Sequence, residues 1–140
     1  QRTLGAFSLI PLVMGTQTPE ASSELARLLF EIIQKNSEKS TLIVCSTDLS
    51  HYYSYERARI LDNVILRNLN SFDVSAMIHD TESGKTEACG AGALVSAMML
   101  CRMMGANCGK VLSYANSGDV SGDKSAVVGY VSAVFYRESH

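Results

Sequence analysis

The chain has 140 residues, 46% apolar and 19% charged, with 12 basic against 14 acidic side chains and a net charge of −2. That balance excludes the basic footprint of a nucleic-acid binder, and no apolar run reaches the ~18 residues of a membrane span, the longest being broken by Arg102. A domain of this size buries roughly two-thirds of its unfolded surface, and four cysteines without a CxxC pair exclude a disulfide framework, making the reducing cytoplasm the default compartment.

In chain order, Phe7 to Met14 reads as a buried strand ended by Gly15, with Pro11 favouring an edge or a bulge. Thr18-Pro19-Glu20 opens a helix, with Thr18 as cap, Pro19 in the first turn and Glu20 on the dipole. Ala21, Leu25, Leu28, Leu29 and Ile32 mark its expected inward face, and Lys35-Asn36-Ser37 ends it. Thr41 to Cys45 is a near-continuous apolar run of the kind found in parallel strands buried on both faces. A polar loop, Ser46 to Tyr53, follows. Ser54 caps a second helix facing inward through Ala58, Leu61, Ile65, Leu69 and Phe72, and Asp73 starts a short helix ending near His79.

Asp80 to Glu87 is a polar connector. Gly90 to Met104 is apolar almost all round and reads as a central helix stopped by Gly105. Val111 to Tyr114 and Ala126 to Tyr136 read as two further strands around a Gly/Ser/Asp-rich loop, Asn116 to Lys124. The predicted fold class is therefore α/β, a mostly parallel or mixed sheet flanked by helices, with residues 1–140 as one unit.

Three segments can carry chemistry. Ser46 to His51 follows the best predicted strand, where open α/β sheets build their sites. Asp48 can orient His51 or accept a proton, and His51 can bind metal or act as acid or base. The structural alternative makes Asp48 and Ser50 turn caps and His51 a hydrogen-bonder. In Ala88-Cys89-Gly90-Ala91-Gly92, Cys89 stands at a predicted helix N-terminus, a position whose dipole favours a thiolate ligand or nucleophile. Its alternative is a small packed thiol with glycines for close helix contact. No strand is predicted before this GxG, which rejects a dinucleotide fingerprint. Asn116 to Asp123 does not match an EF-hand spacing and by itself is a turn-rich connection. Cys45, Cys101 and Cys108 read as structural, His79 and His140 have no partner in sequence, and the methionines of Met98 to Met104 read as core packing.

Taken together, S-T-D-L-S-H-Y (Ser46 to Tyr52), A-C-G-A-G (Ala88 to Gly92) and Y-A-N-S-G-D-V-S-G-D (Tyr114 to Asp123) followed by V-V-G-Y (Val127 to Tyr130) resemble the Memo family. This family is protein B of the AmmeMemoRadiSam system, and it is similar in fold to class III extradiol (LigB-type) dioxygenases. I-P-L-V-M-G (Ile10 to Gly15) resembles the opening of the family's second half. The resemblance implies a C-terminal half of a larger Memo-like domain and a redox metal, iron or copper, in the complete protein. It assigns Cys89 as a metal ligand, His51 to the same pocket as a ligand or catalytic group, and Asp48 as the acidic neighbour. The family's other two metal-site histidines belong to an N-terminal half without counterpart here, so stable metal is not expected in this chain alone.

The leading reading is a metal-dependent, dioxygenase-like oxidoreductase. A second is a non-catalytic binding module for a peptide or small molecule, and a third is a Cys89–His51 hydrolase. His51 and Cys89 are expected to converge despite 37 intervening residues. The expected partner is the missing N-terminal half or a second chain, with self-association through strands left open at Thr41–Cys45 and Ala126–Tyr136.

Overall fold

The computed structural model describes residues 2–139, so His140 lies outside the described residues. Its elements are α1 (Pro19–Lys35), β1 (His51–Tyr53), α2 (Tyr55–Asn70), α3 (Val74–Glu82), α4 (Ala91–Met103), β2 (Cys108–Asn116), α5 (Ser117–Ser121) and β3 (Val127–Tyr136). The α/β class holds, but the sheet is neither parallel nor mixed. The three strands run in the order β1-β3-β2, and both pairings are antiparallel. β3 is thus the central strand and not an open edge. A short connection through α5 lets β2 and β3 fold back on each other, which is antiparallel geometry; parallel neighbours need a longer crossover.

The two expected strands at Phe7–Met14 and Thr41–Cys45 join no ladder among the described residues. The expected loop after Cys45 is shorter than read, because its last three residues form β1. β2 extends beyond Val111–Tyr114 at both ends, and the Gly/Ser/Asp-rich loop contains the single turn α5.

Two helix starts follow local chemistry, whereas the Ser54 side chain, expected to cap α2, makes no capping hydrogen bond. The Thr18 hydroxyl accepts from Ala21 N–H at 3.2 Å, and the Asp73 carboxylate accepts from Ala76 N–H at 2.9 Å. α2 buries Ala58, Leu61, Ile65 and Leu69, as the helical period requires. Of these, Ile65 and Leu69 meet Leu49, Phe72, Val74, Met77, Leu94, Val95 and Met98 in one core. α1 is rotated from its expected face. It buries Ser22 and Ala26, while Leu28 and Ile32 stay exposed. Small residues bring it close to α4, where the Ser22 hydroxyl donates to Gly92 C=O at 3.0 Å.

α5 is held by a reciprocal cap. The Asn116 side chain accepts from Gly118 N–H, and Asp119 Oδ2 accepts from Asn116 N–H at 2.8 Å. Tyr55 O–H donates to Asp119 Oδ1 at 2.7 Å. The Asn116 N–H first, and then the Tyr55 hydroxyl, hold the Asp119 carboxyl below its usual range. A carboxyl lowered by folding contributes stability above the unfolded carboxylate range of about pH 4, and loses it as pH falls through the folded value. Asp119→Asn should therefore lower the melting temperature near pH 7, and the gap to the parent should close on acidification. A gap of equal size near pH 3 would show that the ionised carboxylate contributes nothing.

Candidate functional site

The site is built where the loop before β1 meets the N-terminus of α4. Cys89 and Asp48 clasp each other through two contacts: Asp48 N–H donates to Cys89 Sγ at 3.2 Å, and Cys89 N–H donates to Asp48 C=O at 3.2 Å. Thr47 Oγ1 lies 3.6 Å from the same sulfur and accepts from Gly90 N–H at 2.8 Å. Gly90 is the N-cap of α4 and has no side chain with which to cap it. Thr47 supplies that acceptor from one side. On the other, the Gln17 side chain accepts from Gly92 N–H at 2.9 Å and donates to Cys89 C=O at 3.0 Å.

The glycines of A-C-G-A-G have a geometric cause. A Cβ on Gly90 would meet Thr47 at 3.0 Å, and one on Gly92 would meet Gln17 Cβ at 2.7 Å and its Cα at 2.8 Å. The close approach they permit is by the chain's own Thr47 and Gln17.

Glu87 ties the same connector to β1. Its Oε1 accepts from His51 N–H at 3.0 Å, and its Oε2 accepts from Tyr53 O–H at 3.2 Å. The segment 46–53 thus runs alongside 87–90, bringing the stretches that carry Asp48, His51 and Cys89 together. Cys89 is exposed, whereas Asp48 and His51 are half-buried. Cys45, just upstream, has its thiol pushed up by burial and then by neighbouring Cys89. Tyr52, between His51 and Tyr53, has φ 62° in the left-handed region, at the point where the β1–β3 register shifts. That conformation is uncommon for a bulky residue and is stored most often at functional sites. The Tyr52 side chain projects into solvent.

Behind the loop stands a buried carboxylate that sequence reasoning missed. Asp62 of α2 is fully buried, accepting from Ser50 N–H at 3.0 Å and from Tyr114 O–H at 2.7 Å. Burial, together with this acceptor, holds the Tyr114 phenol well above its ordinary range. A lone Asp inside a helix carries no periodic signal that distinguishes it from a surface charge, so only the fold reveals it. His79 is exposed on α3 and takes no part, and Cys101 and Cys108 lie on α4 and β2. An open cleft of about 480 Å³ between α1, α3 and α4, lined by Ala26, Val74 and Met99 among others, contains none of the predicted site residues.

The chain matches the Memo-like protein family across residues 1–134. It belongs to the Memo family. Its similarity extends to curated Memo relatives, each named a MEMO1 family protein. That of Methanobrevibacter smithii is 36% identical over 129 residues, which cover 92% of this chain and 45% of the relative. That of Methanosarcina mazei is 36% identical over 91% of this chain and 48% of the relative. That of Sulfurisphaera tokodaii is 36% identical over 91% and 44%. The chain therefore spans about half the length of the Memo relatives it matches.

Memo resemblance implies a redox metal, iron or copper. Among the described residues, no group of three or more His, Cys, Asp or Glu side chains is placed to hold a metal ion. Cys89 presents one soft donor, with its sulfur already accepting from the Asp48 amide. One thiol does not make a coordination shell, so the described residues do not fit a complete site by themselves.

Proposed function

We propose that this chain supplies the thiol side of a redox-metal pocket in a Memo-family oxidoreductase of dioxygenase-like type, with the remaining ligands contributed by the rest of the family's length. The observation that carries this reading is the exposed Cys89 sulfur, held in place by the Asp48 amide and Thr47 against the capped start of α4. Iron or copper suits a thiolate donor combined with imidazole. His51 sits beside the same junction, as a further ligand or as the acid/base that faces substrate, and Asp48 is its acidic neighbour. The reading implies a reducing compartment, the cytoplasm, in keeping with four free thiols.

The test is metal analysis of the full-length protein that contains this chain. Stoichiometric iron or copper is expected in the parent. Cys89→Ala should weaken retention by about a hundredfold or more, beyond the loss typical of outer-shell changes. His51→Ala should lower turnover at equal metal loading if it is the acid/base, or lower the loading if it is a ligand. Metal content unchanged by Cys89→Ala would overturn the assignment. If metal is absent and Cys89 alkylates at a rate indifferent to chelators, the nucleophilic thiol of a hydrolase becomes the better account.

A binding module is the second reading, favoured by Tyr52. An exposed aromatic ring held at positive φ beside the junction is a contact for a peptide or small molecule. Binding that survives Cys89→Ala and is lost in Tyr52→Ala would support it.

A further inference from the structure

We propose that Cys45 and Cys89 form a redox pair, in which hydrogen peroxide oxidises the exposed Cys89 thiol and the half-buried Cys45 thiol closes it as a reversible disulfide. Both side chains stand at the same junction. Ile43, Cys45 and Thr47 are half-buried while Leu42, Val44 and Ser46 are exposed. This is the two-residue alternation of extended chain, so Cys45 points to the same side as Thr47. Thr47 Oγ1 lies 3.6 Å from Cys89 Sγ, and Ser46 C=O lies 3.2 Å from where a Cβ on Gly90 would stand. The backbone of 45–47 therefore runs against 89–90. Cys89 turns its sulfur toward that segment, accepting from the Asp48 amide at 3.2 Å. Burial, and after it the nearby Cys89, holds the Cys45 thiol above its ordinary range, in keeping with this proximity.

Exposure assigns the roles. Cys89 is open to an oxidant in solvent, whereas Cys45 packs against the core and is partly shielded from one. In the first step the peroxide O–O bond breaks: the Cys89 sulfur gains one oxygen as a sulfenic acid, and the other oxygen leaves as water. In the second, the Cys45 sulfur attacks the Cys89 sulfur, the S–O bond breaks, and the hydroxyl leaves with the Cys45 proton as a second water. Two thiols have then lost two electrons and two protons, and one peroxide has become two waters. The disulfide withdraws the Cys89 sulfur as a ligand, spares it from irreversible sulfinic acid, and is reopened by thiol reductants. Cys101 stands about 15 Å along α4 from Ala91, at 1.5 Å per residue, and Cys108 lies on β2 against Glu138, so neither competes. The regulatory consequence rests on the reading of Cys89 as a metal ligand, whereas the disulfide itself is a covalent bond that is read without any metal.

The test is peroxide treatment of the full-length protein that contains this chain, stripped of metal by a chelator, blocked with N-ethylmaleimide and mapped by mass spectrometry. The expected main product is a Cys45–Cys89 cross-linked peptide pair, two hydrogens lighter than the reduced peptides and released by dithiothreitol. Cys45→Ser and Cys45→Ala should both lose it. In these variants dimedone, which traps sulfenic acid, should label Cys89 about tenfold or more above the parent. Cys101→Ser should leave the cross-link unchanged, and mapping of the parent protein depends on no variant's folding. Cys89 left unoxidised, or passing to sulfinic acid equally fast in the parent and the Cys45 variants, would overturn the redox pair. A disulfide joining Cys89 to any other cysteine, within the chain or between copies, would overturn it too. A mapped Cys45–Cys89 bond with metal content unchanged by Cys89→Ala would keep the redox pair and remove the metal reading. Metal lost in Cys89→Ala without any such bond in the parent would do the reverse.

Discussion

Gly129→Ala should destabilise the chain by about 3 kcal/mol, the upper end of overpacking penalties. A Cβ at this position would lie 2.0 Å from Asp62 Oδ2 and 2.7 Å from its Cγ. Asp62 cannot swing aside freely, because its carboxylate is fully buried and accepts from Ser50 N–H and Tyr114 O–H. Gly129 is pinned from the other side too, donating to Ser50 C=O at 3.0 Å and accepting from Leu49 N–H at 2.9 Å. Moving it would pull on the loop that carries Asp48 and His51. Asp62→Ala is costly by another route, leaving the Ser50 amide and the Tyr114 hydroxyl without their acceptor, at about 1–3 kcal/mol each. Combining the two changes should be less harmful than their sum, since the second removes the carboxyl that the new methyl meets. Chemical denaturation of both single variants and the double variant measures this, with about 1 kcal/mol or more of favourable coupling expected. Strict additivity would show that the clash is not with Asp62.

Leu49→Ala should cost about 2–5 kcal/mol, the range for emptying a fully buried leucine site. Leu49 is the one wholly buried apolar side chain between Asp48 and His51, and it packs into the core with Ile65 and Met98. It acts as the peg of the functional loop. Its loss should therefore loosen the amides of Asp48, Leu49 and Ser50, whose acceptors are Cys89 Sγ, Gly129 C=O and Asp62. Met98→Ala, at an equally buried position on α4, supplies the control. The two variants should fall within the same stability range, but only Leu49→Ala should accelerate exchange at those three amides beyond the global loss. Equal acceleration in both would mean that the loop is held by hydrogen bonds alone.

Much of the helical structure was legible because its signals are local. Thr18 and Asp73 announce their helices by capping chemistry that reaches only three residues along the chain. Ala58, Leu61, Ile65 and Leu69 repeat at the helical period, and the core accepts that stripe unchanged. α1 misled for a physical reason. Its larger apolar residues suggest one face, but the face that meets α4 is the one carrying Ser22 and Ala26, with the Ser22 hydroxyl bonded to Gly92 C=O. The candidate residues were legible as types in suggestive places: Cys89 before a helix, and Asp48 and His51 after an apolar run. Their supports were not. Gln17 reaches Gly92 across 75 positions, Glu87 reaches the His51 amide across 36, and Tyr114 reaches Asp62 across 52. Single polar residues at such separations leave no periodic trace.

From sequence alone came the capped starts of α1 and α3, the amphipathic stripe of α2, the family, and the three segments that carry the candidate chemistry. Each depends on side-chain type and on spacing within a few turns of chain. Tertiary structure decided the antiparallel order β1-β3-β2, the rotation of α1, the buried Asp62 beneath Gly129, and the absence of any ladder at the apolar runs Phe7–Met14 and Thr41–Cys45 among the described residues. Strand direction and pairing depend on which other segment presents a free edge, and an apolar run has the same composition whether that edge is occupied or bare.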